Sequence, residues 1–223
     1  MSERRDQETP HPPATGDFGF VHPGGPAHEY PADGGMRVVK FSVGSYDNNV
    51  YLIASDGDAL IVDGAAEPER ILSEVERLGA RVTAIVQTHN HFDHTGALAS
   101  LVEALKVPVL AHPADPMPVR TELVEDGERL ALGSVEVLAL HTPGHTPGSM
   151  CFLAGTHLFS GDTLFPGGPG NTDGNRDRFR EIMRSLDRLF ELPDETRVSP
   201  GHGLDTTIGR ERPYLELWRT RGW

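Results

Sequence analysis

One cysteine, Cys151, stands in the whole 223-residue chain, so no intramolecular disulfide can form and the fold must rest on its core. That usage fits a reducing compartment, and a cytoplasmic location is expected. Basic charge is also scarce. Twenty Lys and Arg face 33 Asp and Glu, for a formal net charge of −13. Phosphate backbones are bound by an excess of cationic side chains, so no nucleic-acid partner is expected. No stretch approaches the roughly 20 consecutive apolar residues of a membrane span. The opening MSERRDQETP lacks the apolar segment of a secretory signal. A dispersed protein without a membrane partner, acting on a small molecule, is the expectation; oligomeric state leaves no signature in the chain.

What the chain does have is histidine concentrated in one hexapeptide. Residues 89–94 read HNHFDH and supply His89, His91, Asp93 and His94 within six positions. Imidazole and carboxylate are ligands for Zn, Fe and Mn, and no thiolate narrows the choice. The hexapeptide follows an apolar run, Val82, Ala84, Ile85 and Val86, that reads as a buried strand. A strand end that delivers four potential ligands into a turn reads as a site rather than as part of a core.

Around it the chain alternates strand and helix signals. Residues 1–35 carry six Pro and six Gly and read as an extension, disordered at its start and docked through Phe18, Phe20 and Tyr30. The globular domain is expected over 36–223. Strands are predicted at 37–43, 49–54, 59–63, 81–88 and 107–111, with helices at 67–78 and 96–105. The second half repeats the order, with strands at 130–132, 135–140, 149–153, 157–160 and 197–199. An amphipathic helix is predicted through Phe179, Ile182, Met183, Leu186, Leu189 and Phe190, and a last helix over 208–219. Two sets of strands, each closed by helices, suggest two sheets packed face to face with helices outside, an α/β arrangement.

Three later segments add ligands. HTPGHTPGS carries His145, SGDTLF carries Asp162, and SPGHG carries His202. Each lies at or just beyond a strand end beside Gly or Pro, where a tight loop can aim a side chain. Five His and two Asp are enough for two metals that share a bridging carboxylate and a bridging water.

This ordered pattern resembles the metallo-β-lactamase fold superfamily, from about Met36 onward, and within it the short glyoxalase II-like (hydroxyacylglutathione hydrolase-like) branch. HTPGHTPGS, SGDTLF and PGHG followed by TTIGRER carry that closer likeness. The resemblance implies an αββα four-layer sandwich of two mixed sheets with the site at one edge. It implies one ion on His89, His91 and His145, a second on Asp93, His94 and His202, and Asp162 between them. Asp63, at the end of ALIVD, matches a supporting position behind the ligands, and His141 is expected to be a supporting or structural residue. Zinc is the expected metal, with iron or manganese as alternatives. The implied reaction is hydrolysis by a metal-bridging hydroxide, on a thioester, with Asp93 both ligand and orienter of the nucleophile. The alternatives are a persulfide dioxygenase using one Fe(II) on His89, His145 and Asp162, and a lactonase or other ester hydrolase.

The remaining candidates have plainer readings. Cys151 reads as a small buried hydrophobe, His157 as structural, and His112 with Asp115 as a solvated loop. His11, His22 and His28 belong to the extension. The glycine-rich segment after SGDTLF reads as a mobile lid or an anion-binding loop. It carries Asn171 where relatives often have a basic residue, with Arg176 and Arg178 as possible substitutes.

Overall fold

Residues 18–222 are described in the computed structural model of the chain. The first sheet has seven strands in sequence order: β1 (His28–Glu29), β2 (Arg37–Val43), β3 (Asn48–Ser55), β4 (Asp58–Val62), β5 (Arg81–Val86), β6 (Val109–Ala111) and β7 (Glu122–Leu123). β1 to β4 pair antiparallel, and β4 to β7 pair parallel. The second sheet holds β8 (Arg129–Leu132), β9 (Val135–His141), β10 (Met150–Ala154) and β11 (His157–Gly161). A small hairpin, β12 (Leu164–Phe165) with β13 (Gly168–Pro169), stands apart. β14 (Arg197–Pro200) and β15 (Thr206–Thr207) complete the second sheet in the order β15-β14-β11-β10-β9-β8.

Alternation along the strands builds the layers. In β3, Tyr51 and Ile53 enter the core between the sheets, while Val50, Leu52 and Ala54 face the outer side of the first sheet. In β10, Met150, Phe152 and Ala154 face inward, and Cys151 and Leu153 face the opposite way. Side chains on a strand point to opposite faces with period two, so each strand serves two apolar layers. The outer layers are covered by helices. α1 (Pro68–Leu78) and, after the short α2 (Phe92–Thr95), α3 (Leu98–Leu105) pack on the first sheet. α4 (Arg176–Leu189) and α6 (Leu215–Arg221) pack on the second. The result is the αββα sandwich expected of the chain.

Helix ends follow local chemistry. α1 opens on Pro68 and stops at Gly79, whose φ of 71° takes the left-handed turn that a glycine adopts without penalty. α4 opens at Asn175, whose side chain accepts from the N–H groups of Asp177 and Arg178. The single helix expected over 208–219 is instead three pieces: α5 (Ile208–Glu211), a 3-10 turn at Arg212–Tyr214, and α6. Pro213 lacks the amide hydrogen a continuous helix needs and breaks the run. The start of the glycine-rich segment turns back as the β12–β13 hairpin, which pairs Gly168 and Pro169 with Phe165 and Leu164. Among the described residues no helix is long and apolar enough to cross a membrane.

Candidate metal centre

The sandwich gathers five chain segments at one end. Asp63 directly follows β4, the HNHFDH segment follows β5, and His145 follows β9. Asp162 follows β11, and His202 follows β14. The two sheets are stitched there by backbone bonds, Met150 N–H to the Thr88 carbonyl and Asn49 N–H to the Gly201 carbonyl.

The seven sequence candidates meet at this point. His145 Nε2 lies 2.9 Å from His91 Nδ1, and His94 Nε2 lies 3.2 Å from His202 Nε2. Asp162 sits between the two groups. Its Oδ1 is 3.5 Å from His94 Nε2, and its Oδ2 is 3.5 Å from His145 Nε2 and 3.7 Å from His202 Nε2. Asp93 Oδ2 is 3.5 Å from His202 Nε2 and 3.7 Å from His94 Nε2. Three overlapping triads have donor atoms close enough for a shared cation: His89, His91 and His145; His89, His94 and Asp162; Asp93, His94 and His202.

Orientation is the more telling feature. Thr88 Oγ1 donates to Asp63 Oδ2 at 2.8 Å, so its oxygen faces His89 Nδ1, 3.0 Å away, as an acceptor. His94 Nδ1 meets Asp63 Oδ2 at 2.8 Å, His145 Nδ1 meets the Asn171 carbonyl at 2.8 Å, and His202 Nδ1 meets the Tyr46 carbonyl at 2.8 Å. Each acceptor calls for Nδ1–H, which turns the Nε2 atoms of four imidazoles inward, the arrangement a cation requires. Two inward atoms, His89 Nε2 and Asp162 Oδ1, are buried with no hydrogen-bond partner. A buried polar atom left so is costly unless a ligand satisfies it. The donor set of nitrogen and oxygen suits zinc, iron or manganese, and the residues present fit such ions.

The local electrostatics agree. Burial and the surrounding imidazoles hold His89 well below the ordinary histidine range. Burial opposes charge on His94 as well, but the Asp63 hydrogen bond and the Asp162, Asp63 and Asp93 carboxylates outweigh it and push its pKa up to about 9, so a cation binding at His94 Nε2 would displace a proton held there by the same carboxylates. Burial would raise Asp93, yet Asn48 Nδ2, donating to Asp93 Oδ2 at 3.0 Å, and the nearby His94 and His202 keep it below the usual carboxylate range. Net negative carboxylates around inward lone pairs favour a cation.

Of the supporting residues, Asp63 was expected from the sequence, whereas Gln87 and Gly201 carry no sequence signal. Asp63 adopts a φ of 65°, a conformation that Asp tolerates better than most side chains, and this aims its carboxylate at both Thr88 and His94. Gln87 donates to the His94 carbonyl at 2.6 Å and accepts from Gly64 N–H. Gly201 must be glycine because an added Cβ would sit 2.3 Å from Asp162 Oδ1 and 2.7 Å from His94 Cε1.

Two expectations need correction. Asp115 is not in a solvated loop. It is 2% exposed and accepts from Asn90 N–H, Thr146 Oγ1 and Gly148 N–H, tying the HNHFDH and HTPGHTPGS loops together. Arg178 is not a spare cation over the site, because it donates to the carbonyls of Gly144 and His145 and pairs with Asp173. His141, expected to be a supporting or structural residue, meets the Pro147 carbonyl at 2.9 Å and stacks on His112. Cys151 is buried, and burial pushes its thiol up to about 11.

Comparison with known proteins gives this arrangement a context. The family model described as the metallo-beta-lactamase superfamily matches residues 43–202, a span that holds every candidate ligand. A hydroxyacylglutathione hydrolase of Xanthomonas axonopodis pv. citri is 43% identical over 172 residues, covering 75% of this chain and 65% of that protein. The chain thus spans about two thirds of the length of that relative. Among solved structures, TTHA1623 in a di-iron-bound form is 38% identical with a TM-score of 0.69, covering 77% of this chain and 95% of that one. ETHE1 from Myxococcus xanthus is 31% identical with a TM-score of 0.71, covering 78% and 80%.

Proposed function

Because the chain belongs to the metallo-β-lactamase superfamily, we propose that its metal centre serves a hydrolase of the glyoxalase II type, acting on a small-molecule thioester. The observation that carries this reading is the complete set of inward-turned donors, four of them imidazole Nε2 atoms fixed by Nδ1 partners. Identity to a hydroxyacylglutathione hydrolase supports the thioester as substrate class.

In this reading His89, His91 and His145 would hold one ion, Asp93, His94 and His202 would hold a second, and Asp162, lying between the two groups, would serve both. Bound there, two divalent cations supply Lewis acidity for a carbonyl oxygen and make water acidic enough to lose a proton near neutral pH. Asp93 is the proposed catalytic carboxylate. Asn48 holds its Oδ2, so the carboxylate keeps one orientation toward the attacking water. Asp63 and Thr88 engage Nδ1 of His94 and His89, so Nε2 is the atom each ring would offer to an ion. No protein nucleophile is needed, and Cys151, buried with its thiol pushed up to about 11, is unsuited to be one. Zinc is the proposed metal, with iron the natural competitor because a 38% identical structure is di-iron-bound.

The test is a panel of acyl-glutathione and acyl-coenzyme A thioesters beside lactones and oxygen esters, with thiol or acid release followed. Thioester turnover that disappears in Asp162→Ala and His145→Ala, with folding retained, supports the reading. Full turnover and full metal content in either variant would remove the ligand assignment. Lactone or oxygen-ester turnover without thioester turnover would reassign the substrate.

A further inference from the structure

The fully buried ion pair of Lys40 and Asp205 has no part in the chemistry just described. Both side chains are 0% exposed, with Lys40 Nζ 2.8 Å from Asp205 Oδ1. Lys40 occupies a β2 position between Val39 and Phe41, which face the outer layer, so alternation turns it toward the interior between the sheets. A buried charge pair is a poor source of stability compared with apolar packing. Its surroundings indicate what it holds.

The pair clamps the loop that carries His202. Lys40 Nζ also donates to the Gly203 carbonyl at 2.7 Å. Asn49 Nδ2 donates to the carbonyls of Pro200 and Gly203, and Tyr51 Oη donates to that of Pro200. Arg197 Nη1, on β14, donates to Asp205 Oδ2 at 3.4 Å, and two further bonds to Asp205 come from the N-terminal segment. Tyr30 Oη donates to Asp205 Oδ2 at 2.6 Å, and Asp205 N–H donates to the Phe18 carbonyl. Gly19 lies against both groups. Its φ is +62°, and an added Cβ would fall 2.4 Å from Tyr30 Oη and 2.5 Å from Asp205 Oδ2. The segment is itself anchored along its length. β1 pairs with β2, placing His28 opposite Lys40. Arg70 donates to the Gly25 carbonyl, the Arg210 guanidinium lies 4.9 Å from the Phe18 ring centroid, and Thr156 donates to Asp33.

We propose that residues 18–33 act as a brace on the His202 loop through Asp205, making Tyr30 and Gly19 positioning residues for the metal held by Asp93, His94 and His202. This rests on the ligand assignment above. His89, His91 and His145 do not lie on the braced loop, so the effect is selective: loosening the brace weakens one metal and spares the other. Partners outside the ligand shell typically change metal affinity by about 10–100-fold, and the lower end is expected where one hydroxyl is removed.

The experiment titrates Zn2+ into chelator-treated full-length protein against a competing indicator and resolves two binding steps. His202→Ala first identifies the step that depends on the His202 loop. Tyr30→Phe keeps the ring and loses only the hydroxyl, and Gly19→Ala inserts the colliding methyl. Both are expected to weaken the His202-dependent step by about tenfold and leave the other step within twofold, with unchanged circular dichroism. If both steps weaken together, or the His202-dependent step stays within twofold in both variants, the brace is wrong. If His202→Ala itself alters neither step, the ligand assignment fails, and a brace acting through His202 falls with it.

Discussion

At the scale of single residues, the site is an exercise in choosing tautomers. Asp63 is the most consequential supporting side chain, since one carboxylate fixes His94 directly and His89 through Thr88. Asp63→Asn keeps the size but can offer an N–H where the ring needs an acceptor. Metal affinity in that variant should fall by about 10–100-fold with little change in folding; wild-type affinity by chelator competition would refute the role. A different histidine responds to acid. Burial and the neighbouring Arg197 lower His157 to about 4, and its Nδ1 has no partner. The unfolded chain therefore binds this proton before the folded one does. Stability from keeping the ring neutral is complete above the ordinary histidine pKa of about 6.5 and is lost as pH falls from there toward 4, up to about 3 kcal/mol. His157→Phe should flatten that part of the urea-midpoint profile in chelated protein, and an unchanged profile would contradict the assignment. The candidate ligands were legible because four stand within six positions and the rest repeat a strand-end-plus-glycine context. The Asn171 and Tyr46 carbonyls that orient His145 and His202 were not, since every residue offers a carbonyl and only the fold decides which one arrives. Asp115 read as solvated for the same reason: its three donors come from segments 25 to 33 positions away.

At the scale of elements, the strands that serve two apolar layers were readable in the chain, and β2 falls at the expected 37–43. What escaped was short or interrupted. β1, β7, β12, β13 and β15 span two residues each, too few for a period to show. Pro213 broke a helix that periodicity alone would have continued. α4 does more than cover the second sheet. Its first turn places Arg178 on the carbonyls of Gly144 and His145, and further along Ser185 donates to the Pro143 carbonyl, so the helix holds the His145 loop. Asn175→Ala removes the cap on that turn and should cost about 1 kcal/mol. Because the loss falls beside a proposed ligand, turnover should drop more than a 1 kcal/mol loss elsewhere in the fold would produce. A variant destabilised by that amount with undiminished kcat/KM would show that α4 does not position the site.

At the scale of the whole molecule, two sheets meet at one end and contribute to a single cluster that neither could assemble alone. Asp63 and the HNHFDH segment come from the first sheet, and His145, Asp162 and His202 from the second. A cation there would cross-link the halves of the sandwich, and a ligand that binds only the folded state stabilises it in proportion to its affinity. The net charge of −13 should also concentrate cations near the molecule. The account turns on how many ions this centre holds. The most direct measurement is metal identity and stoichiometry on protein purified without chelator or affinity tag. Near two zinc, iron or manganese ions per chain is the predicted result for a binuclear thioester hydrolase. Near one iron per chain, with oxygen consumed on a persulfide substrate, would contradict it and assign the site to mononuclear oxidation on His89, His145 and Asp162.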